Sequence, residues 1–291
     1  MYLVTGATGG LGRRIVRLLR DRGLPVRAFV RLTSSYRELE ERGAEIFIGN
    51  LKSDRDIQKA CQGVRYVISA HGSGDSPEDV DYRANIDLID AAKAAGVEHF
   101  TFISVLGADR PYDDAPTFKA KRAVERYLQE SGLRYTILRP SGFSSNLLPL
   151  AEQFRRTGIY LLIGDPDSRT SIVSTDDLAR VAIDSAAIAA AHNQIFAVGG
   201  PEILRRRDIP KIFGALLNRE PLLINPPLLA LDGIRNLLGL FNSKAQKNLG
   251  TLRTLLAHEF YCTHEEVQRV EAVYGFKFET LESFLRRHLA I

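Results

Sequence analysis

A chain of 291 residues, 45% hydrophobic and 25% charged, carries enough apolar content for one large α/β body, alone or with a smaller appended part, without disulfides or metals. Its net charge of +4 is too small to mark a nucleic-acid binder, although it suits an anionic ligand. Two cysteines, Cys61 and Cys262, lie far apart and outside any CxxC spacing, which argues against a disulfide framework or a zinc site and for a reducing compartment such as the cytoplasm.

The first strand is expected at Met1-Tyr2-Leu3-Val4, which leaves no room for a leader segment, and no run of about 18 apolar residues predicts a membrane span. Short apolar runs then recur at Tyr2–Thr5, Val26–Val30, Glu45–Ile48, Tyr66–Ala70, Phe100–Ser104 and Tyr135–Leu138. Helical patterns separate them. Leu11, Ile15, Leu18 and Leu19 share one face, with Gly23 placed to end that helix; Ile86, Leu88, Ile89, Ala92 and Ala95 mark another, ending at Gly96; Val124, Tyr127 and Leu128 mark a third. This alternation predicts βαβ crossovers, hence a doubly wound parallel sheet covered on both faces, in the order 3-2-1-4-5-6. Residues 1–150 are read as this core and 151–291 as a smaller, mostly helical part over the carboxyl ends of the strands, with a strand near 195–198 returning to the sheet. Helices are expected at about 208–218, 228–241, 244–260, 263–274 and 279–289. The run Arg205-Arg206-Arg207 reads as a solvated face, and Ser174-Thr175-Asp176-Asp177 as a helix N-cap with acids in its first turn. No His/Asp/Glu cluster has metal spacing.

The segment Thr5-Gly6-Ala7-Thr8-Gly9-Gly10-Leu11-Gly12 lies directly between the first strand and the first helix, the context that turns a glycine spacing into a dinucleotide fingerprint of the Rossmann fold. Gly6 is needed for the tight turn, Gly9 for backbone approach to the pyrophosphate and Gly12 for helix–strand packing; Thr8, Gly10 and Leu11 complete the phosphate-binding turn. The second strand ends in Arg31-Leu32-Thr33-Ser34-Ser35 where an acid would hold the ribose of NAD. An arginine there fits a 2′-phosphate, so NADP(H) is expected over NAD(H). Asn50, Ala70 and His71, at the ends of the third and fourth strands, are expected to border the cofactor; a histidine in such a loop could bond there, but solvent is its more usual surrounding.

Together with Ala91–Val97, Phe102-Ile103-Ser104 and Tyr135-Thr-Ile-Leu-Arg-Pro140, the glycine turn resembles the short-chain dehydrogenase/reductase superfamily, in its atypical, NmrA-like branch. The resemblance runs through Gly199-Gly-Pro-Glu202 and thins after about residue 220. It implies an NADP(H)-dependent oxidoreductase acting on a small organic substrate. The branch also holds redox regulators and assembly or accessory factors of photosynthetic and respiratory membrane complexes, which makes a non-catalytic NADP(H)-binding protein with a protein partner the alternative. Standard members use a serine with a YxxxK pair, which here implies Ser104 and Lys121, with Glu125 four residues on. Four residues before Lys121 stands Thr117, not tyrosine. Lys121 could serve as the acid–base group, Tyr112 could swing in, or the chemistry could be lost; Lys121, Ser104 and Pro140 are expected toward the nicotinamide half in any case. The apolar segment 221–241 reads as core, as a cover for the substrate, as a dimer face or as a membrane-surface contact.

Overall fold

The computed structural model describes the chain apart from residues 73–75, 113, 230–231, 234–242 and 290–291 and the side chains of 243–248. Most of the expected helix at 228–241 therefore lies outside the described residues.

Seven parallel strands form the central sheet in the order β3-β2-β1-β4-β5-β6-β9. They are β1 (Tyr2–Thr5), β2 (Val26–Val30), β3 (Glu45–Ile48), β4 (Tyr66–Ser69), β5 (His99–Ile103), β6 (Tyr135–Pro140) and β9 (Gln194–Val198). β1 and β5 are buried at every position, which explains why they read as unbroken apolar runs rather than as alternation. The doubly wound order expected from the sequence is present, and β9 adds a seventh strand beside β6, in register from Thr136 opposite Gln194 to Pro140 opposite Val198.

Between the strands run α1 (Gly10–Asp21), α2 (Arg37–Glu41), α3 (Asp54–Cys61), α4 (Ala84–Ala94) and α5 (Pro116–Glu130); a π-helical stretch, Pro77–Arg83, leads into α4. Beyond β6 lie α6 (Leu148–Thr157), α7 (Thr175–Asp184), α8 (Asp208–Leu217), α9 (Ser243–Ala257), α10 (His264–Tyr274) and α11 (Leu281–His288). One face of the sheet is covered by α1, α7 and α10, through Ile15, Leu19, Leu178, Val181, Val267 and Val270. The other is covered by α3, α4 and α5, through Ile57, Leu88, Ile89, Val124 and Leu128. A third cluster, around Phe154, Phe213 and Phe284, joins α6, α8 and α11.

Four short strands were not expected. β8 (Arg169–Thr170) pairs antiparallel with β10 (Leu204–Arg205), and β7 (Ile159–Leu161) pairs parallel with β11 (Leu222–Ile224). All three residues of β11 are exposed. Among the described residues its outer edge has no partner strand.

Ser174 caps α7, accepting from the Asp177 amide, as its sequence suggests. The arginine run is only partly the solvated face it was read as. Arg205 and Arg207 pair with Asp167, but Arg206 is half-buried and donates to the carbonyls of Leu255, Leu256 and His258 at the end of α9. Cys61 and Cys262 are buried free thiols. Among the described residues no helix is long and apolar enough to cross a membrane, and no group of three metal-ligating side chains occurs.

Candidate dinucleotide-binding site

The turn after β1 is shaped by two contacts that only glycine permits. Gly6 has φ +69°, and a Cβ there would stand 2.6 Å from the carbonyl oxygen of Ala70. At Gly12 a Cβ would stand 2.1 Å from the Gly6 carbonyl oxygen, so α1 rests directly on the turn. Gly9 occupies the N-cap of α1. No side chain caps the helix and no acid stands in its first turn, which leaves the N-terminal N–H groups and the positive end of the helix dipole to an incoming anion. Gly9 and Gly10 are exposed and Thr8 is half-buried, whereas Leu11 and Gly12 are buried, Leu11 in the core beside Ile15. Leu11 can therefore offer its backbone but not its side chain.

A cleft of about 650 Å³ opens in front of this turn. Its walls include Gly6, Thr8 and Gly9, then Arg31 and Ser34 after β2, Asn50 and Lys52 after β3, and Ala70, His71 and Gly72 after β4. These are the carboxyl ends of the strands on either side of β1, where the chain reverses its winding and open α/β sheets take their ligands. The side chain of Arg31 is exposed and meets no carboxylate among the described residues. The nearby arginines are committed elsewhere: Arg13 and Arg17 both pair with Glu38, and Arg13 also donates to the carbonyls of Thr8 and Ser35. Asn50 accepts from the Lys52 amide and its own amide bonds Asp56, so it holds the loop after β3 in shape while facing the cleft.

His71 is buried, not solvated as its loop position suggested. Its Nδ1 lies 2.7 Å from Thr5 Oγ1 and 3.3 Å from Ser69 Oγ, because the chain folds back under the glycine turn after β4. Its buried Nε2 has no hydrogen-bond partner among the described residues. Burial, reinforced by the Lys121 charge, pushes the ring down to about 3, so it is neutral at physiological pH.

Lys121, on α5, is also buried. Its Nζ donates to the Ile103 carbonyl at 3.0 Å and the His71 carbonyl at 3.3 Å, and lies 3.8 Å from Asp81 Oδ1 and 4.7 Å from the Phe102 ring centroid. Burial lowers its pKa, while the charges of Asp81 and Glu125 pull the other way. The amine thus ties together the carboxyl ends of β4 and β5. Ser104, directly after β5, turns its hydroxyl onto Glu125 at 2.5 Å. Glu125 is in turn clamped by Arg139, whose Nη2 and Nε donate to its two carboxylate oxygens at 2.6 and 3.0 Å. Pro140 ends β6, and its carbonyl accepts from the Leu106 amide. Tyr112 sits in an aromatic cluster with Phe118, His258 and Phe260, its hydroxyl held by Arg110. Thr117 is half-buried, its hydroxyl 3.4 Å from that of Thr251 on α9. Lys52, Asp81 and Arg13 were missed in the sequence, since each is placed by a contact distant along the chain. Only the position of Lys52 just after a strand hinted at it.

A doubly wound parallel sheet, a glycine turn too tight for any side chain and an open cleft at the point of reversal define a dinucleotide-binding protein of the Rossmann class. Residues 6–188 match the model of the NAD(P)H-binding family, and the chain belongs to that family. Its curated relatives include an NAD(P)H azoreductase of Xenophilus azovorans, 34% identical over 222 residues, spanning 75% of this chain and 74% of the relative. They also include the photosystem II assembly factor Ycf39 of Cyanophora paradoxa, 29% identical over 302 residues, spanning 99% of this chain and 92% of that one. Among solved structures, an Escherichia coli NADPH-dependent quinone oxidoreductase complexed with NADPH shares the fold, with a TM-score of 0.77, 21% identity and full coverage of both chains.

Proposed function

We propose that this protein is an NADP(H)-dependent reductase of small organic acceptors. The observation that carries the reading is the cleft itself, a phosphate-binding turn with uncapped helix N–H groups and an uncommitted arginine at the end of β2. The glycine turn would hold the pyrophosphate, and Arg31 with Ser34 the 2′-phosphate; bound there, the nicotinamide supplies hydride. Lys121, beside the ends of β4 and β5, keeps a proton at Nζ in a place that burial makes easier to deprotonate. Thr117 takes no part in proton transfer, and Ser104, held by Glu125, braces α5 against β5. Resemblance to an azoreductase supports an acceptor that is a conjugated organic molecule.

The test follows NADPH consumption with azo dyes and quinones as acceptors, alongside cofactor binding. NADPH should bind more tightly than NADH, turnover should be measurable, and Lys121→Ala should cut kcat more than cofactor affinity. Tight NADPH binding with no turnover on either acceptor class would overturn the enzyme reading. It would favour a second one, an assembly or accessory factor. That reading is supported by the full-length similarity to Ycf39, which reaches past the family match at residue 188, and by the exposed apolar β11.

A further inference from the structure

A second cleft, of about 590 Å³, opens on the other side of β6, at the β9 edge of the sheet. It lies between the loop after β5, the strand β9 and helix α10, and the phosphate-binding turn takes no part in it. Three guanidinium groups border it, those of Arg110, Arg139 and Arg269, against two carboxylates, Asp109 and Glu266. The acids are already engaged. Asp109 accepts from Arg139 Nη1 at 2.8 Å, and Glu266 closes the capping box at the start of α10 with Thr263. Arg139 is satisfied by Asp109 and by the buried Glu125. Arg110 and Arg269 are not so matched. Arg110 donates to the Tyr112 hydroxyl and the Glu259 carbonyl, and Arg269 to Gln194 Oε1; neither meets a carboxylate among the described residues. Arg269 lies over the Phe196 ring, 5.0 Å from its centroid, a cation–π contact that keeps the guanidinium at the cleft wall. The rest of the lining is largely apolar, with Pro111, Ile195, Ala197 and Val270.

Two guanidinium groups that meet no carboxylate among the described residues, set beside an apolar floor, select a ligand that is charged at one end and apolar along its body. We infer that this cleft is a second ligand site, separate from the cofactor cleft, that takes a small organic carboxylate, with Arg110 and Arg269 on the carboxylate and Pro111, Ile195 and Ala197 against the apolar body.

Three probes separate the components of this recognition. Benzoate has the charge and the apolar ring, benzamide has the ring alone, and inorganic phosphate has the charge alone. Titrations of the full chain, read by backbone amide NMR, should show benzoate shifting the amides of 106–110 and 195–198, with benzamide and phosphate each at least about tenfold weaker there. Arg269→Ala and the double variant Arg110→Ala, Arg269→Ala, whose spectra report their folding directly, should weaken benzoate by a similar factor, and Arg269→Lys should restore part of the loss. Arg31→Asp should leave benzoate binding unchanged. Equal binding of benzoate and benzamide would overturn the inference. So would benzoate binding that survives the arginine variants, or that is lost in Arg31→Asp, the last result placing the anion in the cofactor cleft.

Discussion

Single residues carry the sharpest tests of the cofactor site. Arg31→Asp removes a cation that meets no carboxylate among the described residues and places a carboxylate where a 2′-phosphate would lie. NADPH affinity should fall roughly tenfold to a hundredfold, as expected for loss of about 1.4–2.8 kcal/mol of charge-assisted bonding, while NADH affinity holds or improves; titration with both cofactors decides it. Gly12→Ala should be more severe, because the new Cβ meets backbone rather than a mobile side chain. A melting curve should show a loss of about 1–3 kcal/mol or more, together with weakened NADPH binding as the turn shifts. The glycines could be recognised in the sequence because their constraint is local: one strand, one turn and one helix, adjacent in the chain. The burial of His71 could not be, since it depends on Thr5, Ser69 and the return of the chain beneath the turn. That burial has a pH consequence. His71 and His99 are both held down to about 3 by burial, against an ordinary value of 6.5. Above 6.5 neither form of the protein gains a proton on them. Below it only the unfolded chain does, so stability falls as pH drops toward 3, by at most about 1.4 kcal/mol per pH unit for each ring. Asp177, raised to about 6 by burial from an ordinary 3.8, acts in the opposite sense between those values and offsets part of the loss. Melting temperature measured from neutrality to about pH 5 should decline, and the decline should be shallower in His99→Asn.

At the scale of elements, the strands and their order follow from composition, because a parallel strand buried on both faces must be apolar throughout and a covering helix must be apolar on one side. What escaped the sequence were elements defined by a partner rather than by a pattern. Two- and three-residue strands such as β8 and β11 have no periodicity to detect. The packing of α9 onto α5 is equally silent, although it places Thr251 beside Thr117. Arg206 holds the end of that helix by three carbonyl contacts. Arg206→Ala should leave those carbonyls without their cation and cost about 1.5–3 kcal/mol, with faster amide exchange concentrated in 251–258 and little change around β1. Uniform acceleration across the sheet would show instead that the contact supports the fold as a whole.

Across the whole molecule, the carboxyl-terminal helix is tied back to the cofactor-binding half. Asp176 of α7 accepts from Arg14 of α1 and from Arg287 of α11, each at 2.7 Å, so the helix that would receive the pyrophosphate shares an ionic partner with the end of the chain. Such a long-range tie joins residues 162 and 111 positions apart, and no sequence window contains it. The cofactor cleft was readable because its parts recur at the ends of successive strands; the aromatic cluster at Tyr112 was not, since His258 and Phe260 join Tyr112 and Phe118 from far along the chain. The small β7–β11 ribbon has a different consequence, for behaviour in concentrated solution. Leu222, Leu223 and Ile224 are 62%, 42% and 46% exposed on a strand whose outer side, unpaired among the described residues, offers backbone donors and acceptors to a neighbouring molecule. Flat, uncharged edges of this kind nucleate clustering. Light scattering on concentrating the protein should therefore rise steeply, and Leu223→Lys should delay that rise while leaving NADPH affinity where it was.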